Sequence, residues 1–247
     1  MIVKRYVRLG VNIDHVATLR NARGGNYPEV IEAAKIVEKS GADLVTVHVR
    51  EDRRHINEKD LENILKIINI PLNLEIAANS EMINIATKYR PNSICFVPEK
   101  RQEITTEGGL DVIKNFDYIK KNLKNFSDLD INLAIFIDPD IDQIMATHRL
   151  GIDTLEFHTG SYANAFLTKN NIELELEKIR ESTAFAKKLG FNCHAGHGLT
   201  FDNVSSIASV KDIVELNIGH FIIGNSIFDG LEKSIIKMRN IISKAVK

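Results

Sequence analysis

Residues that can exchange protons recur at the ends of short, strand-like segments of this chain. The segment LVTVHVR at 44–50 alternates strictly, with three valines on one face and Thr46, His48 and Arg50 on the other. Because successive side chains of a strand point to opposite faces, His48 and Arg50 project together. An imidazole beside a guanidinium, leading into the charged run 51–55, suits proton transfer on an anionic substrate. Alone, the segment is equally compatible with a half-exposed antiparallel strand and a solvated turn.

The same alternation of an apolar and a polar face recurs in five further segments. The polar positions of all six are Asn12 and Asp14; Thr46, His48 and Arg50; Asn73 and Glu75; Thr154, Glu156 and His158; Asn192 and His194; Glu215 and Asn217. Helix-covered parallel strands tend to be apolar on both faces, so a polar face predicts a barrel interior. Unpaired buried charge is unfavourable, so this lining must form a structural network or meet a polar ligand.

Helical periods separate the strand-like segments along almost the whole chain. Strands are predicted at 9–14, 44–50, 72–76, 93–97, 131–138, 153–158, 191–194 and 213–218. Helices are predicted after Pro28, from Asn57, before Pro91, over roughly 110–125, after Pro139, up to Gly190, near 202–209 and at the C-terminus. This order predicts one α/β domain over 1–247, a (β/α)8 TIM barrel with extra helical segments. An open doubly wound sheet is the alternative.

Four ionisable residues near these strand ends are the candidates for acid–base catalysis. They are His48, Glu75, Glu156 and His197. Imidazole and carboxyl groups can bring one another's pKa toward neutrality, as proton transfer requires. Because barrel active sites lie at the carboxyl ends of the strands, these four side chains should share one cavity.

Two separate positions favour anion binding. Glycine turns at 196–198 and 219–220 follow the predicted seventh and eighth strands, where barrels commonly bind phosphate through backbone N–H groups. Arg50 and His55 flank the loop after the second strand and could bind a second anionic group. The charged loop 98–109 has the composition of a closing lid or of an ordinary exposed loop.

Composition argues against several other functions. A formal net charge of -1 gives no electrostatic footprint for nucleic acid or an anionic membrane. No apolar run reaches the roughly 18 residues that span a bilayer, and no signal peptide precedes the first strand. We therefore expect a cytoplasmic protein. Cys95 and Cys193 lie in apolar strands and should be buried thiols, although a bridge between them is the alternative.

The same histidines could bind a metal. His48, His158, His194 and His197 could line one cavity with several carboxylates, but no local signature such as His-Glu-x-x-His occurs. No lysine occupies an inward strand position, which argues against Schiff-base chemistry.

Long and unusual motifs run from the first predicted strand to the last. They are GVNIDHVATLRNARG at 10–24, TVHVREDRRHI at 46–56, NLE at 73–75, VPEKRQEITTEGG at 97–109, AGHGLT at 195–200 and ELNIGH at 215–220. Together they resemble the pyridoxine 5'-phosphate synthase family, the ring-closing enzymes of the deoxyxylulose-dependent vitamin B6 route.

The resemblance implies a reaction and a set of site residues. The reaction is a transferase-class condensation of 1-deoxy-D-xylulose 5-phosphate with 3-amino-2-oxopropyl phosphate, through an imine and without metal or organic cofactor. It gives pyridoxine 5'-phosphate, inorganic phosphate and water. By position, His48 and Glu75 match proton acceptors, His197 a proton donor and Glu156 a carboxylate that stabilises the transition state. Contacts to the aminoketone phosphate match Asn12, Arg23, Gly198, Gly219 and His220. Contacts to the deoxyxylulose phosphate match Asp14, His15, Arg50, His55 and Thr105.

The chain departs from the family pattern at two places. His194 stands where the family usually has Asn, and Asn225-Ser226 follow Gly224 where Arg-Ala is expected. The resemblance also implies a homo-octamer built from dimers. Two other functions stay open: a metal-dependent aldolase for phosphorylated sugars, and a non-catalytic protein that binds phosphorylated metabolites.

Overall fold

Eight parallel strands close into a barrel in the computed structural model, which describes residues 5–99 and 108–246. The strands are β1 Arg8–Asn12, β2 Leu44–His48, β3 Leu72–Ile76, β4 Ser93–Phe96, β5 Asn132–Ile137, β6 Thr154–His158, β7 Asn192–Gly196 and β8 Ile213–Ile218. Each pairs with the next in chain order, and β8 pairs with β1. The predicted (β/α)8 TIM barrel is therefore confirmed. The doubly wound alternative is wrong, because β1 and β8 pair with each other and leave no open edge in the sheet.

Helices form the outer layer around this barrel. In the described part of the chain they are α1 Asp14–Asn21, α2 Val30–Lys39, α3 Glu58–Ile67, α4 Ser80–Tyr89, α5 Phe116–Leu123, α6 Ile141–Leu150, α7 Gly160–Thr168, α8 Ile172–Lys188, α9 Val204–Ser209, α10 His220–Asp229 and α11 Leu231–Ala245. None of these helices combines the length and apolar composition needed to cross a bilayer.

The strands have two faces in different surroundings, as their alternation predicts. Outward side chains such as Val45, Val47 and Leu74 are fully buried beneath the helices. Inward side chains bond across the barrel: the amide of Asn217 accepts from the Thr46 hydroxyl at 3.2 Å and donates to Glu156 at 2.8 Å. The polar faces of β2, β6 and β8 therefore meet inside the barrel.

The barrel interior is polar on one side only. Cys95, Val97, Ala134 and Phe136 from β4, β5 and the residue after β4 form a separate small apolar cluster. This cluster explains why the sequence shows no polar alternation in those two strands. Cys95 and Cys193 are both buried, free thiols. The predicted buried thiols are confirmed, and the alternative of a bridge is wrong.

Strand β1 is shorter than predicted, and a helix follows it at once. The strand ends at Asn12, whose side-chain oxygen accepts a hydrogen bond from the backbone N–H of Asp14 at 2.9 Å. This local bond turns the chain out of the sheet and into α1, which the alternation through Asp14 concealed. As a result, Asp14 stands at a helix start above the strand rather than in the barrel wall.

Three other helical segments differ from the prediction. The helix expected over 110–125 begins only at Phe116, because Leu110 N–H bonds to the Phe136 carbonyl at 2.7 Å. Two helices were not among those predicted. Helix α7 begins at Gly160, shortly after β6, and α10 begins at His220, with only Gly219 between it and the end of β8. Both extra helices start where a barrel strand ends, at the edge of the candidate site.

The start of α3 generates a stability prediction. The Asn57 side chain accepts from Asp60 N–H at 3.0 Å, and the Asp60 carboxylate accepts from Asn57 N–H at 3.1 Å, a reciprocal capping box. Asn57→Ala should lower the free energy of unfolding by about 1 kcal/mol in urea denaturation. Asn84→Ala, at an exposed position inside α4, is the control and should leave stability unchanged or raise it slightly. Equal stability of the two variants would contradict the cap.

Candidate active site

The candidate residues gather at the carboxyl ends of the strands. His48 ends β2, Glu75 lies beside it in the register of β3, and Glu156 lies on the inner face of β6. His197 follows β7 directly, and His220 begins α10 one residue after β8. The fold therefore brings the four acid–base candidates to one end of the barrel, the end at which a shared cavity was predicted.

Asn12 and Asp14 join the first three strands at this end. The Asn12 amide donates to Asp14 Oδ2 at 2.8 Å and to Glu75 Oε2 at 3.3 Å. The other oxygen of Asp14 accepts the backbone N–H of His48 at 2.8 Å. Two sequence-predicted binding residues thus also fix the positions of two predicted catalytic residues.

His48 lies between two carboxylates, one of which sequence reasoning did not assign. Its Nε2 is 2.8 Å from Glu99 Oε1, and its Nδ1 is 4.0 Å from Glu75 Oε2. The second oxygen of Glu99 accepts the Glu51 N–H at 3.1 Å. Burial alone would raise the pKa of Glu99, but the hydrogen bond and charge of His48 lower it overall. An ionised Glu99 can only accept, so the proton in this bond belongs to Nε2, and the ring nitrogen that can act as a base is Nδ1.

Glu99 could have been found from the sequence. It lies in the motif VPEK, directly after the predicted strand 93–97, where the charged composition of 98–109 is typical of a loop. The position of a carboxylate at the end of β4 was the available signal.

Burial raises the proton affinity of two inward carboxyl groups. The pKa of Glu75 is raised well above its ordinary value by burial first, and then by the negative charges of Asp14 and Glu156. Burial also raises the pKa of Glu156 to about 7, although the charge of His194 and the hydrogen bond from Asn217 act in the opposite direction. The Glu156 carboxyl lies against β7, where a Cβ on Gly196 would come within 2.6 Å of its oxygen. Glu156 is therefore suited to proton exchange near neutral pH, and Glu75 holds its proton more tightly than an exposed glutamate.

His197 stands in the glycine turn after β7 with a left-handed backbone, φ 82°. The hydroxyl of Thr159 lies 2.6 Å from the His197 carbonyl and 2.7 Å from that of Gly196, which holds the turn against the start of α7. Burial first, and then the charges of His158 and His220, lower the pKa of His197 to about 4. Its imidazole is consequently neutral at pH 7, a state in which it donates through a ring N–H.

The turn after β8 brings together four further predicted residues. Gly219 precedes α10, and a Cβ at this glycine would come within 2.8 Å of the Asn12 Cβ. The rings of His15 and His220 meet edge to face, with their centroids 4.9 Å apart. The N-terminus of a ten-residue helix and two imidazoles thus lie beside Asn12. Such a helix start attracts anions.

Arg50 and His55 follow β2 and lie near His48. Both are buried, and the His55 ring centroid is 5.7 Å from that of His48. His55 Nδ1 lies 3.9 Å from Asp14 Oδ1, and burial lowers the pKa of His55. The structure therefore places both residues near the end of the second strand. That they bind a second anionic group stays a prediction.

Two predicted binding residues are not brought into this cluster by the described structure. Arg23 is exposed in the turn after α1, and none of the described side-chain bonds connects it to another candidate. Thr105 lies outside the described residues, as does most of the predicted lid 98–109.

The two departures from the family pattern have different surroundings. His194 Nδ1 pairs with the buried Glu215 at 3.0 Å, and Arg8 pairs with the same carboxylate at 2.8 Å. This group closes the barrel beneath Glu156. Asn225 instead donates to Asp229 and to Ser234, within α10 and the start of α11. Only His194 is therefore part of the barrel interior.

One group of described side chains has the geometry to hold a metal ion. Ligand atoms of Asp14, His48 and His55 all lie within 4.8 Å of one another. Two of these three residues already make hydrogen bonds, since Asp14 accepts from the His48 backbone N–H and the His48 ring donates to Glu99. The sequence had suggested His158, His194 and His197 as further ligands, but these three do not join the group.

Comparisons with known proteins give the family. The model of the family described as "Pyridoxal phosphate biosynthesis protein PdxJ" matches residues 9–244. The chain is 52% identical to the pyridoxine 5'-phosphate synthase of Sulfurihydrogenibium sp. (strain YO3AOP1), over 98% of this chain and 100% of that protein. It is 48% identical to the enzyme of the same name from Ruegeria pomeroyi, over 97% and 98% of the two chains.

Solved structures show the same fold at low identity. A thiamine phosphate pyrophosphorylase from Pyrococcus furiosus has a TM-score of 0.63 at 12% identity, covering 99% of this chain and 100% of that one. A 3-keto-L-gulonate-6-phosphate decarboxylase from Vibrio cholerae has a TM-score of 0.62 at 15% identity, covering 97% and 98%. These likenesses show the barrel alone. The family match and the two relatives show that the chain belongs to the PdxJ family, the pyridoxine 5'-phosphate synthases.

Proposed function

We propose that this chain catalyses the ring-closing condensation of 1-deoxy-D-xylulose 5-phosphate with 3-amino-2-oxopropyl phosphate. The products are pyridoxine 5'-phosphate, inorganic phosphate and water, in a transferase-class reaction without a metal or organic cofactor. The amine of one substrate and the ketone of the other form an imine, and proton transfers then drive the eliminations and ring closure. The observation that carries the proposal is an array of proton-exchanging groups between two separate positions suited to anions.

His48 and Glu75 are the proton acceptors of this proposal. The bond from His48 Nε2 to Glu99 leaves Nδ1 as the basic atom, and Nδ1 faces Glu75 at 4.0 Å. The raised pKa of Glu75 makes its carboxylate a stronger base than an exposed glutamate. Two bases in contact can remove protons from successive positions of one bound intermediate.

Glu156 and His197 act on the other side of the cavity. A carboxyl group with a pKa of about 7 can oppose the positive charge of an iminium or hold a proton during the elimination. The neutral imidazole of His197 donates its N–H to a leaving hydroxyl or carbonyl oxygen. His197 stands in a left-handed turn directly after β7, and its ring centroid is 5.0 Å from that of His158 at the end of β6.

The two phosphates have separate binding positions. The turns at 196–198 and 219–220, with Asn12 and His220, receive the aminoketone phosphate at the start of α10. Arg50 and His55, with Asp14 and His15, receive the deoxyxylulose phosphate. Arg23 and Thr105 complete the proposed contacts to the aminoketone and deoxyxylulose phosphates respectively.

A metal-dependent aldolase is the competing function, because Asp14, His48 and His55 have metal-ligand spacing. The deciding experiment incubates the purified protein with both phosphorylated substrates in metal-free buffer containing a chelator. We expect release of inorganic phosphate and appearance of the pyridoxine chromophore. Activity that a chelator abolishes, or no product from this substrate pair, would contradict the proposal.

The roles of His48 and Glu75 generate a prediction for turnover. His48→Ala and Glu75→Gln should each lower kcat by roughly 10²- to 10⁴-fold, because each removes a general base. Steady-state phosphate release measures the change. His148→Ala, on the exposed face of α6, is the matched control and should retain the activity of the unsubstituted protein. Near-normal turnover in either site variant would refute its assigned role.

Burial of Glu156 generates a prediction for stability against pH. Its folded pKa of about 7 lies above the ordinary value of 4.5, so the folded state binds this proton more tightly than the unfolded state. The chain should therefore lose stability as pH rises from 4.5 through 7, on the order of 3 kcal/mol from this group. Glu156→Gln, which cannot ionise, should remove most of that loss.

Urea denaturation of both proteins at pH 5 and pH 8 measures this difference. The variant should gain stability relative to the unsubstituted chain at pH 8 only. An equal difference in unfolding free energy between the two proteins at both pH values would mean that burial does not raise the pKa of Glu156.

We also propose a homo-oligomer, an octamer built from dimers by resemblance to the family. In support, Ile227 and Phe228 near the end of α10 are 73% and 86% exposed, and Leu167 at the end of α7 is 80% exposed. Large exposed apolar side chains, above all the sequence neighbours Ile227 and Phe228, favour a protein contact. Light scattering should give a mass several times 27.8 kDa. Phe228→Ser should shift the mass toward smaller species if this patch lies in the interface, and a monomer at all concentrations would contradict the proposal.

A further inference from the structure

Asp138 and His158 form a carboxylate–imidazole pair that the roles assigned above do not use; the imidazole is buried, and the carboxylate is about half exposed. His158 is the last residue of β6, two positions beyond Glu156, and it is 6% exposed. Its Nδ1 lies 2.9 Å from Asp138 Oδ1, directly after β5. The N–H of Gly109 donates to the same Asp138 oxygen at 3.1 Å. The pair therefore stands at the carboxyl ends of two adjacent barrel strands.

The carboxylate determines which ring nitrogen of His158 is available. An ionised aspartate only accepts hydrogen bonds, so Nδ1 carries a proton and donates it to Asp138. The bond from His158 lowers the pKa of Asp138, which keeps this carboxylate ionised. An adjacent carboxylate also stabilises the imidazolium when Nε2 binds a second proton. His158 can therefore take up and release a proton at Nε2 while Asp138 balances its charge.

The Nε2 atom has the surroundings of a working group rather than of a structural one. It is buried and has no hydrogen-bond partner among the described residues. It faces the start of α7, where a Cβ on Gly160 would lie only 2.3 Å away, so a side chain at this position would displace the His158 ring. Leaving a buried polar atom unpaired is unfavourable, and a bound substrate group or water would satisfy it.

The His197 ring is the neighbour on which this pair can act. The centroids of the His158 and His197 rings are 5.0 Å apart, and the planes are inclined at 60°. Among the described residues, Asp138 from the end of β5 acts on His158, and His220 from α10 acts on His197. Glu156 lies on the same strand as His158, two residues before it. A neutral His197 needs a proton source if it is to transfer a full proton and not only share one.

We propose that Asp138 and His158 form a proton-relay dyad that recharges His197 during the reaction, an inference that rests on the proposed function. The N–H bond at His158 Nε2 breaks, and the proton passes through one water or substrate hydroxyl to His197, where a new N–H bond forms. The step involves no oxidation or reduction, and solvent restores the proton to His158 before the next turnover. Because both residues act through His197, they are positioning residues for it.

A titration of the substrate-free, full-length protein tests the coupling independently of turnover. NMR of labelled histidines, assigned with His158→Gln and His197→Gln, follows each ring against pH. Asp138→Asn should weaken proton binding at His158 by about tenfold or more, and His158→Gln should raise the titration midpoint of His197. Asp142→Asn, on the exposed start of α6, is the matched control and should change neither midpoint.

Unchanged midpoints in Asp138→Asn and His158→Gln would overturn the dyad. If those variants do not fold, the unsubstituted protein still decides, because coupled rings give mutually dependent titration curves and independent rings give two simple ones. Independent curves would also overturn the proposal.

Turnover supplies the second test. Asp138→Asn and His158→Gln should lower kcat by about tenfold or more, with KM within about twofold, and should alter the kcat–pH profile. Asp138→Glu should restore part of the rate. Gly160→Ala, which places a methyl group against Nε2, should reproduce the loss, whereas Gly224→Ala in α10, with open space around it, should not.

Variants with an unchanged kcat and pH profile would overturn the relay. A purely structural pair would lower the melting temperature without altering that profile, which also counts against the proposal. If the unsubstituted protein makes no product from the two substrates, the proposed function fails, while the titration still reports on the dyad.

Discussion

Burial of ionisable groups inside a closed barrel is the constraint on which the rest of this structure depends. Helices cover the outer face of the strands, so the inward polar positions can reach bulk water only at the two ends of the barrel. Glu215 meets this constraint by pairing with Arg8 and His194, which lower its pKa although burial alone would raise it. Glu75 and Glu156 have no cationic partner at that distance among the described residues, and their proton affinity rises instead.

The same difference separates the floor of the barrel from its mouth. Paired charges at the floor close the interior, while groups nearer the carboxyl ends keep pKa values that suit proton exchange. The histidines add a second distinction: Glu99 assigns the basic nitrogen of His48, and Asp138 assigns that of His158. Catalytic roles at this mouth therefore follow from which carboxylate each imidazole contacts.

The sequence predicted the barrel and most of the site because strand alternation is a local property. His48, Glu75 and Glu156 could be placed on inner faces from period alone. Period alone does not single out Glu99 and Asp138, because they follow β4 and β5 outside the alternation and their importance lies in contacts with histidines on other strands. Helix α1 was missed because the bond between Asn12 and Asp14 N–H, which ends the strand, leaves the apolar alternation intact. The family resemblance supplied roles that neither periodicity nor spacing could give.

The protonation state of Glu156 tests this account most directly, because it reports whether the barrel interior raises the proton affinity of an unpaired carboxyl group. Carbon-13 NMR of glutamate labelled at the carboxyl carbon can follow Glu156 against pH, with Glu156→Gln to identify its signal. The account predicts a midpoint near the pKa of about 7 that burial produces. A midpoint near the ordinary value of 4.5 would show that water or an opposing charge solvates the group, and would contradict the account.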